Sequence, residues 1–233
     1  MPLTALYHVP HPPSTATSPL SSILNALYST YSVSDLSASS SATPPTLFHR
    51  LLRSPSDPQR HLQILFLPHL SPDTIVATTA HPSSQPPTLN PNAKPKVCLR
   101  IPAGPGNSET FTQLVLTKMG TLWQQRQVLT MVQGQVMKFG DFVVRLGELR
   151  QVGGGGEHAG RGVAVEVVWV ADEGWSQGDG QDERELEADG DTAGKEALSA
   201  FWSGLKMDQW KGVREVIGSD GVGGWLEILR LRT

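Results

Sequence analysis

The chain has 233 residues, of which 19 are basic and 22 acidic, giving a formal charge of −3. Charged residues make up 18% of it, against about a quarter in an average chain, while glycine (23) and proline (18) are abundant, so part of the sequence is uncharged low-complexity filler. The length is ample for a proper core, and a single cysteine, Cys98, excludes an intramolecular disulfide framework and a cysteine-rich zinc site and points to an intracellular chain.

In chain order, Leu3, Ala5, Tyr7 and Val9 alternate as a short strand. Ser18-Pro19 supplies an N-cap and a first-turn proline, and Leu20, Ile23, Leu24, Leu27 and Tyr31 keep helical spacing behind it. A Ser-rich insertion over 32–45 follows. Short aliphatic runs predict strands near 46–53, 62–68, 74–80 and 96–101, the last reached through a proline-rich insertion at 81–95. Cys98 alternates with Arg100 in that strand and reads as a small buried side chain. A helix is expected from about 109 to 125, with Phe111, Leu114, Val115, Met119 and Leu122 on its apolar face. Three more strands are expected near 128–138, 141–150 and 162–170, with Gly153–Gly156 looping between the last two. The stretch 172–194 is acidic, glycine-rich and without apolar periodicity, so disorder is expected there. Ala197, Phe201 and Leu205 indicate a closing helix, and the tail from Trp225 to Leu231 is apolar without a deciding period.

Eight short strands and two or three helices, without sustained βαβ alternation, argue against a doubly wound fold. The expected class is α+β: a mainly antiparallel eight-stranded, barrel-like sheet flanked by helices, in a single domain over 1–233 with insertions at about 32–45, 81–95 and 172–194. No apolar stretch approaches the roughly 18 residues of a membrane span. No secretory signal or prenylation cysteine is expected either.

The pair 141–150 and 162–170 carries the most information. Antiparallel partners across a hairpin have a constant sum of residue numbers, and a sum of 311 sets Arg145 opposite Glu166 and Val143 opposite Val168. Phe142, Val144 and Leu146 then meet Trp169, Val167 and Val165 on the other face. A two-residue slip would keep the faces but separate the charges. The pair is apolar on both sides near Val143, Val168 and Val170, so something must cover the second face: a helix of this chain or another protein. Those three valines are the candidate partner-binding residues.

The segments Gly140-Asp141-Phe142-Val143-Val144-Arg145-Leu146-Gly147 and Arg161-Gly162-Val163-Ala164-Val165-Glu166-Val167, with Gly134 before them, resemble the central signature of the Mediator complex subunit 20 family. The opening Met1-Pro2-Leu3-Thr4-Ala5-Leu6-Tyr7 is similar to that of fungal members. The second strand departs from the family pattern, continuing as Val168-Trp169. The resemblance implies a β-barrel with flanking helices and a non-enzymatic, nuclear subunit of the Mediator head module. It further implies a heterodimer with Mediator subunit 18, contact with other head-module subunits and an indirect link to RNA polymerase II.

Signatures of chemistry are weak by comparison. Gly104-Pro105-Gly106-Asn107-Ser108 lacks the Lys-Ser/Thr of a phosphate-binding loop and reads as a plain turn before a helix. The seven histidines are scattered and read as surface or loop residues, with no cysteine near to complete a zinc site. Asp141 and Glu166 show no sign of a catalytic pair, and no catalytic, cofactor or metal residue is assigned. The acidic tract Asp172–Asp191 reads as a solvated loop, and six tryptophans as mostly core. The leading expectation is a protein–protein interaction subunit. The rivals are a small-molecule enzyme with its pocket inside the barrel, which calls for inward charges, and a nucleic-acid-binding barrel, which calls for more than Arg50, Arg53 and Arg60.

Overall fold

A computed structural model describes residues 3–11, 19–31, 44–57, 59–79, 96–152, 158–170, 183–206 and 210–230, with 158 and 183–191 as backbone. The elements are β1 (Leu3–Val9), α1 (Pro19–Thr30), β2 (Phe48–Arg53), β3 (His61–Leu67), β4 (Ser71–Thr78), β5 (Lys96–Ile101) and α2 (Asn107–Lys118). They continue with β6 (Gln124–Phe139), β7 (Phe142–Val152), β8 (His158–Trp169), α3 (Glu183–Gly204), β9 (Arg214–Gly218) and α4 (Gly221–Ile228). One sheet runs in the order β5-β4-β3-β2-β6-β7-β8-β1-β9. The expected class holds: α+β on a mainly antiparallel sheet flanked by helices, with nine strands rather than eight. The ninth, Arg214–Gly218, has only Val216 and Ile217 to announce it.

The chain forms two compact units. The first comprises 1–44, 133–148 and 161–221. Here β1 lies between β8 and β9, pairing antiparallel with both, and is buried at all seven positions. A strand inside a sheet has no free edge, and two-sided burial explains why Thr4, Leu6 and His8 are as enclosed as the alternating set Leu3, Ala5, Tyr7 and Val9. That alternating set faces Val144, Leu146, Val163, Val165 and Val167, under Ile23 and Leu27 of α1 and Leu198, Phe201 and Leu205 of α3. Aromatic rings close this core: Tyr7 stacks on Trp202 at 3.8 Å, and Phe201 meets Tyr31 at 4.5 Å and Phe142 at 4.6 Å. The Tyr31 hydroxyl donates to the Phe201 carbonyl at 2.7 Å, which satisfies the polar end of a packed ring. Gly194 lets α3 lie against the sheet, since a side chain there would press on the Trp169 ring and Leu3.

The second unit comprises 45–132, 149–160 and 222–233. Its sheet pairs β2 with β3 and β6, β3 with β4, and β4 with β5. Leu52, Leu62, Ile64 and Val76 share one face with Val115 of α2 and with Trp123, and Phe111, Leu116 and Ile101 pack around them. Trp225, Leu226 and Ile228 of α4 are buried, and the Trp225 ring meets His69 edge-on at 6.3 Å.

Several expectations change. The helix expected at 109–125 ends at Lys118, followed by Gly120 and strand β6, because the chain must extend to pair with β2; Leu114, Met119 and Leu122 are exposed instead of buried. Cys98 is exposed: β5 ends the sheet order, and Cys98 falls where its register with β4 shifts, its thiol donating to the Val76 carbonyl at 3.2 Å. Helix α3 begins at Glu183, inside the acidic stretch expected to be disordered, because Glu183-Arg184-Glu185-Leu186-Glu187-Ala188 is a run of good helix formers. The rest of the insertions, 32–43, 81–95 and 172–182, and the loop Gly153–Gly156 lie outside the described residues.

Gly162 holds φ at 121°, and a side chain on it would strike the Val9 carbonyl of the neighbouring strand. Gly162→Ala is expected to lower stability by about 3 kcal/mol, since it combines a strained backbone with that contact; a denaturant midpoint unchanged from the parent chain would contradict this.

Candidate functional site

Strands β7 and β8 place the three candidate valines on the face turned away from α1 and α3. The Arg145 guanidinium meets the Glu166 carboxylate at 3.0 Å, and the Val170 N–H donates to the Asp141 carbonyl at 2.8 Å. Both contacts obey the sum of 311, so Val143 stands opposite Val168, with Val170 one residue past the end of β8, beside the turn at Gly140 and Asp141. The structure therefore brings all three together. On the other side of β8, Val168 stands opposite Thr4. Val143 and Val168 are half-buried and Val170 is 44% exposed, so the face becomes more open toward this end.

Further along the same face the surroundings close. Glu166 is fully buried, Ala164 and Leu6 nearly so, and Leu6 stands opposite both Glu166 and Val216. A carboxylate withdrawn from water to this extent depends on charge-assisted hydrogen bonds, and Arg145, one quarter exposed, supplies one from the edge of the closed region. What the valines offer chemically is apolar surface beside a fixed ion pair.

The histidines correct the expectation of loop positions. His8 and His49 are buried on strands, and burial holds both in the neutral form. His8 Nε2 donates to the Arg161 carbonyl at 2.9 Å. His49 Nε2 donates to Gln63 Oε1 at 3.0 Å, and desolvation lowers its pKa to about 4 despite that bond. Burial, with the Glu215 carboxylate nearby, also raises the Tyr7 phenol. Among the described residues no group of three His, Cys, Asp or Glu could hold a metal ion, and no helix is long and apolar enough to cross a membrane. The loop 104–108 opens α2 as a turn, with Gly106 left-handed at φ 75° and Asn107 Nδ2 donating to the Pro102 carbonyl. Sequence reasoning passed over Phe48 and Phe66, which share one face of β2 and β3 with Arg50; the hairpin arithmetic that pairs Phe48 with Phe66 carried the signal.

Sheet, helices and the two-sided strand pair together define an α+β protein organised around a long antiparallel sheet. The chain belongs to the family described as the TATA-binding related factor of subunit 20 of the Mediator complex, whose profile matches residues 27–217. Membership makes it a Mediator-type subunit of transcription regulation, associated with other Mediator subunits, in a family that is nuclear and typically non-enzymatic. No curated protein matches the sequence. Among solved structures, the PH1819 protein from Pyrococcus horikoshii OT3 aligns over 98% of this chain and 99% of its own, at 9% identity and a TM-score of 0.37.

Arg145→Met is expected to cost about 2 kcal/mol or more by stripping a buried carboxylate of an ion partner, and adding Glu166→Gln should recover part of the loss. Purely additive losses in a double-mutant cycle would show that the pair is not coupled. A base whose folded pKa is depressed contributes stability that is complete above its unfolded value. That stability is lost as pH falls toward the folded pKa. For His49 the window is therefore about pH 6.5 down to about 4. His49→Gln should flatten the fall of stability in that window by up to about 3 kcal/mol relative to the parent, and parallel pH–stability curves would contradict it.

Proposed function

We propose that the chain is a non-enzymatic subunit of the Mediator head module that forms a heterodimer with Mediator subunit 18. In this reading it works in the nucleus as a coregulator and activator component. It binds other head-module subunits and relays regulatory input indirectly to RNA polymerase II, without a cofactor, a membrane or sequence-specific contact to nucleic acid. The insertions act as decorations of a single domain.

Family membership over residues 27–217 is the observation that carries this reading. The open end of the β7–β8 face supports it locally: Val143, Val168 and Val170 are aligned by register, partly exposed, and bordered by an ion pair that orients the strands. Burial of such a patch by a partner is favourable at roughly 25 cal/mol per Å² of apolar area. The residues proposed to bind the partner are therefore these three valines.

Co-expression with Mediator subunit 18 of the same organism should yield a stoichiometric complex on size exclusion, and its absence would overturn the pairing. Val170→Asp and Val143→Asp are expected to weaken that complex about tenfold or more by placing a charge in an apolar contact. The Val170 variant, changed at an exposed position, should keep the stability of the free chain within about 0.5 kcal/mol. An intact complex with both variants would move the interface elsewhere.

A further inference from the structure

In the second unit, Leu51 of β2 stands opposite both Gln63 of β3 and Gln127 of β6, so the two glutamines flank it in one row. Directly opposed residues share a sheet face, and His49, two residues before Leu51, shares it too. This is the face turned away from Leu52, Ile64 and Val76, which pack with Val115 of α2. The surroundings are apolar. His49 stands opposite Leu65 and Leu129, and Gln63 opposite Ala77, all three of them fully buried. His49 and Gln63 are themselves 0% exposed and Gln127 is 1% exposed, so three polar side chains are closed inside an apolar layer.

Within this group His49 Nε2 donates to Gln63 Oε1 at 3.0 Å. The ring is neutral, so with Nε2 as its donor Nδ1 is an acceptor. Four atoms have no hydrogen-bond partner among the described residues: Nδ1 of His49, Nε2 of Gln63, and both Nε2 and Oε1 of Gln127. Two of these accept and two donate. Gln127 holds the position on β6 that Gln63 holds on β3, diagonal to His49, yet only Gln63 bonds the ring directly. Polar atoms enclosed to this degree are satisfied by protein or by internal water, and leaving them unmet is costly. The mixture of groups selects the ligand. The amide N–H groups disfavour a cation, and the lone pairs of Nδ1 and Oε1 disfavour an anion. Water donates twice and accepts twice, carries no charge, and is small enough for a closed interior.

We propose that His49, Gln63 and Gln127 form an internal water site holding at least one long-lived water molecule. The water donates to His49 Nδ1 and joins the ring to the Gln127 amide, so that a hydrogen-bonded chain crosses β3, β2 and β6 inside the apolar layer. Such a chain penalises any strand register that separates the three polar positions. The site is independent of the pairing with Mediator subunit 18, because it uses other strands and other residues.

The test uses the full, isotope-labelled chain in water, with water itself as the probe. Nuclear magnetic resonance should show dipolar transfer from water to the side-chain amide protons of Gln127 and Gln63, told apart from proton exchange by its sign in the rotating frame. The His49 Nδ1 resonance should be shifted from that of a ring nitrogen without a hydrogen bond. Relaxation dispersion of the water oxygen counts long-lived internal waters, and Gln127→Leu should lower that count by at least one. The same substitution should lower the denaturant midpoint, because His49 Nδ1 loses its donor; a dry cluster would instead be stabilised by losing two unmet atoms. The spectra of the parent chain are decisive by themselves if the variant does not fold. Absence of dipolar transfer to both amides, a His49 Nδ1 resonance without a hydrogen-bond shift, an unchanged water count in the folded variant, or a raised midpoint would each overturn the proposal.

Discussion

The contact between Arg145 and Glu166 across β7 and β8 is what gives the first unit its two faces. In a strand a slip of one residue exchanges the faces, and a slip of two keeps them but breaks the charge pairing. With the charges at 3.0 Å, Val144, Leu146, Val165 and Val167 go beneath α1 and α3, and the three valines come together on the opposite side. Strand β1 inherits the same division through β8, since Leu3 stands opposite Trp169 and Leu6 opposite Glu166. A polar pair buried in such a place adds little net stability compared with an apolar pair, but it strongly penalises any other register.

Both units show a sheet face covered by helices up to a limit. In the first, α1 and α3 supply Ile23, Leu27, Leu198 and Phe201, and the aromatic contacts around Phe201 and Tyr31 hold the helices at fixed depth. In the second, α2 is only 12 residues long and covers Ile64 and Val76 but not the Phe48–Phe66 row. A short helix on a wide sheet leaves apolar surface at its end. For a member of a family that works inside a multisubunit complex, such surface is where a partner gains most from contact.

Much of this was legible before any coordinates. The alternation in β7 and β8, the sum of 311, the helix behind Ser18-Pro19 and the strand-rich class all follow from period-two and period-3.6 patterns, which report one face of one element. The pattern misled where neighbours decide. Leu114, Met119 and Leu122 keep helical spacing with Val115, yet the chain leaves the helix at Lys118 to pair with β2, and their apolar character is spent on the surface. Cys98 sits in a run that looks like a central strand, but its strand ends the sheet. His8 and His49 look like polar loop residues, and their burial depends on strands far away in the sequence: β8 and β9 beside β1, and β3 and β6 beside β2.

The amino-acid sequence by itself determined which residues alternate, which hairpin register is compatible with the charges, and the family to which the chain belongs, because these depend on local spacing and on motifs contiguous in the chain. Only the tertiary structure decided which strands lie inside the sheet, that Val143, Val168 and Val170 form one partly open patch, and that Phe48 and Phe66 come together beside α2. Burial and exposure are properties of what stands next to a residue in space, and the neighbours of β1, β2 and α2 are recruited from distant parts of the chain.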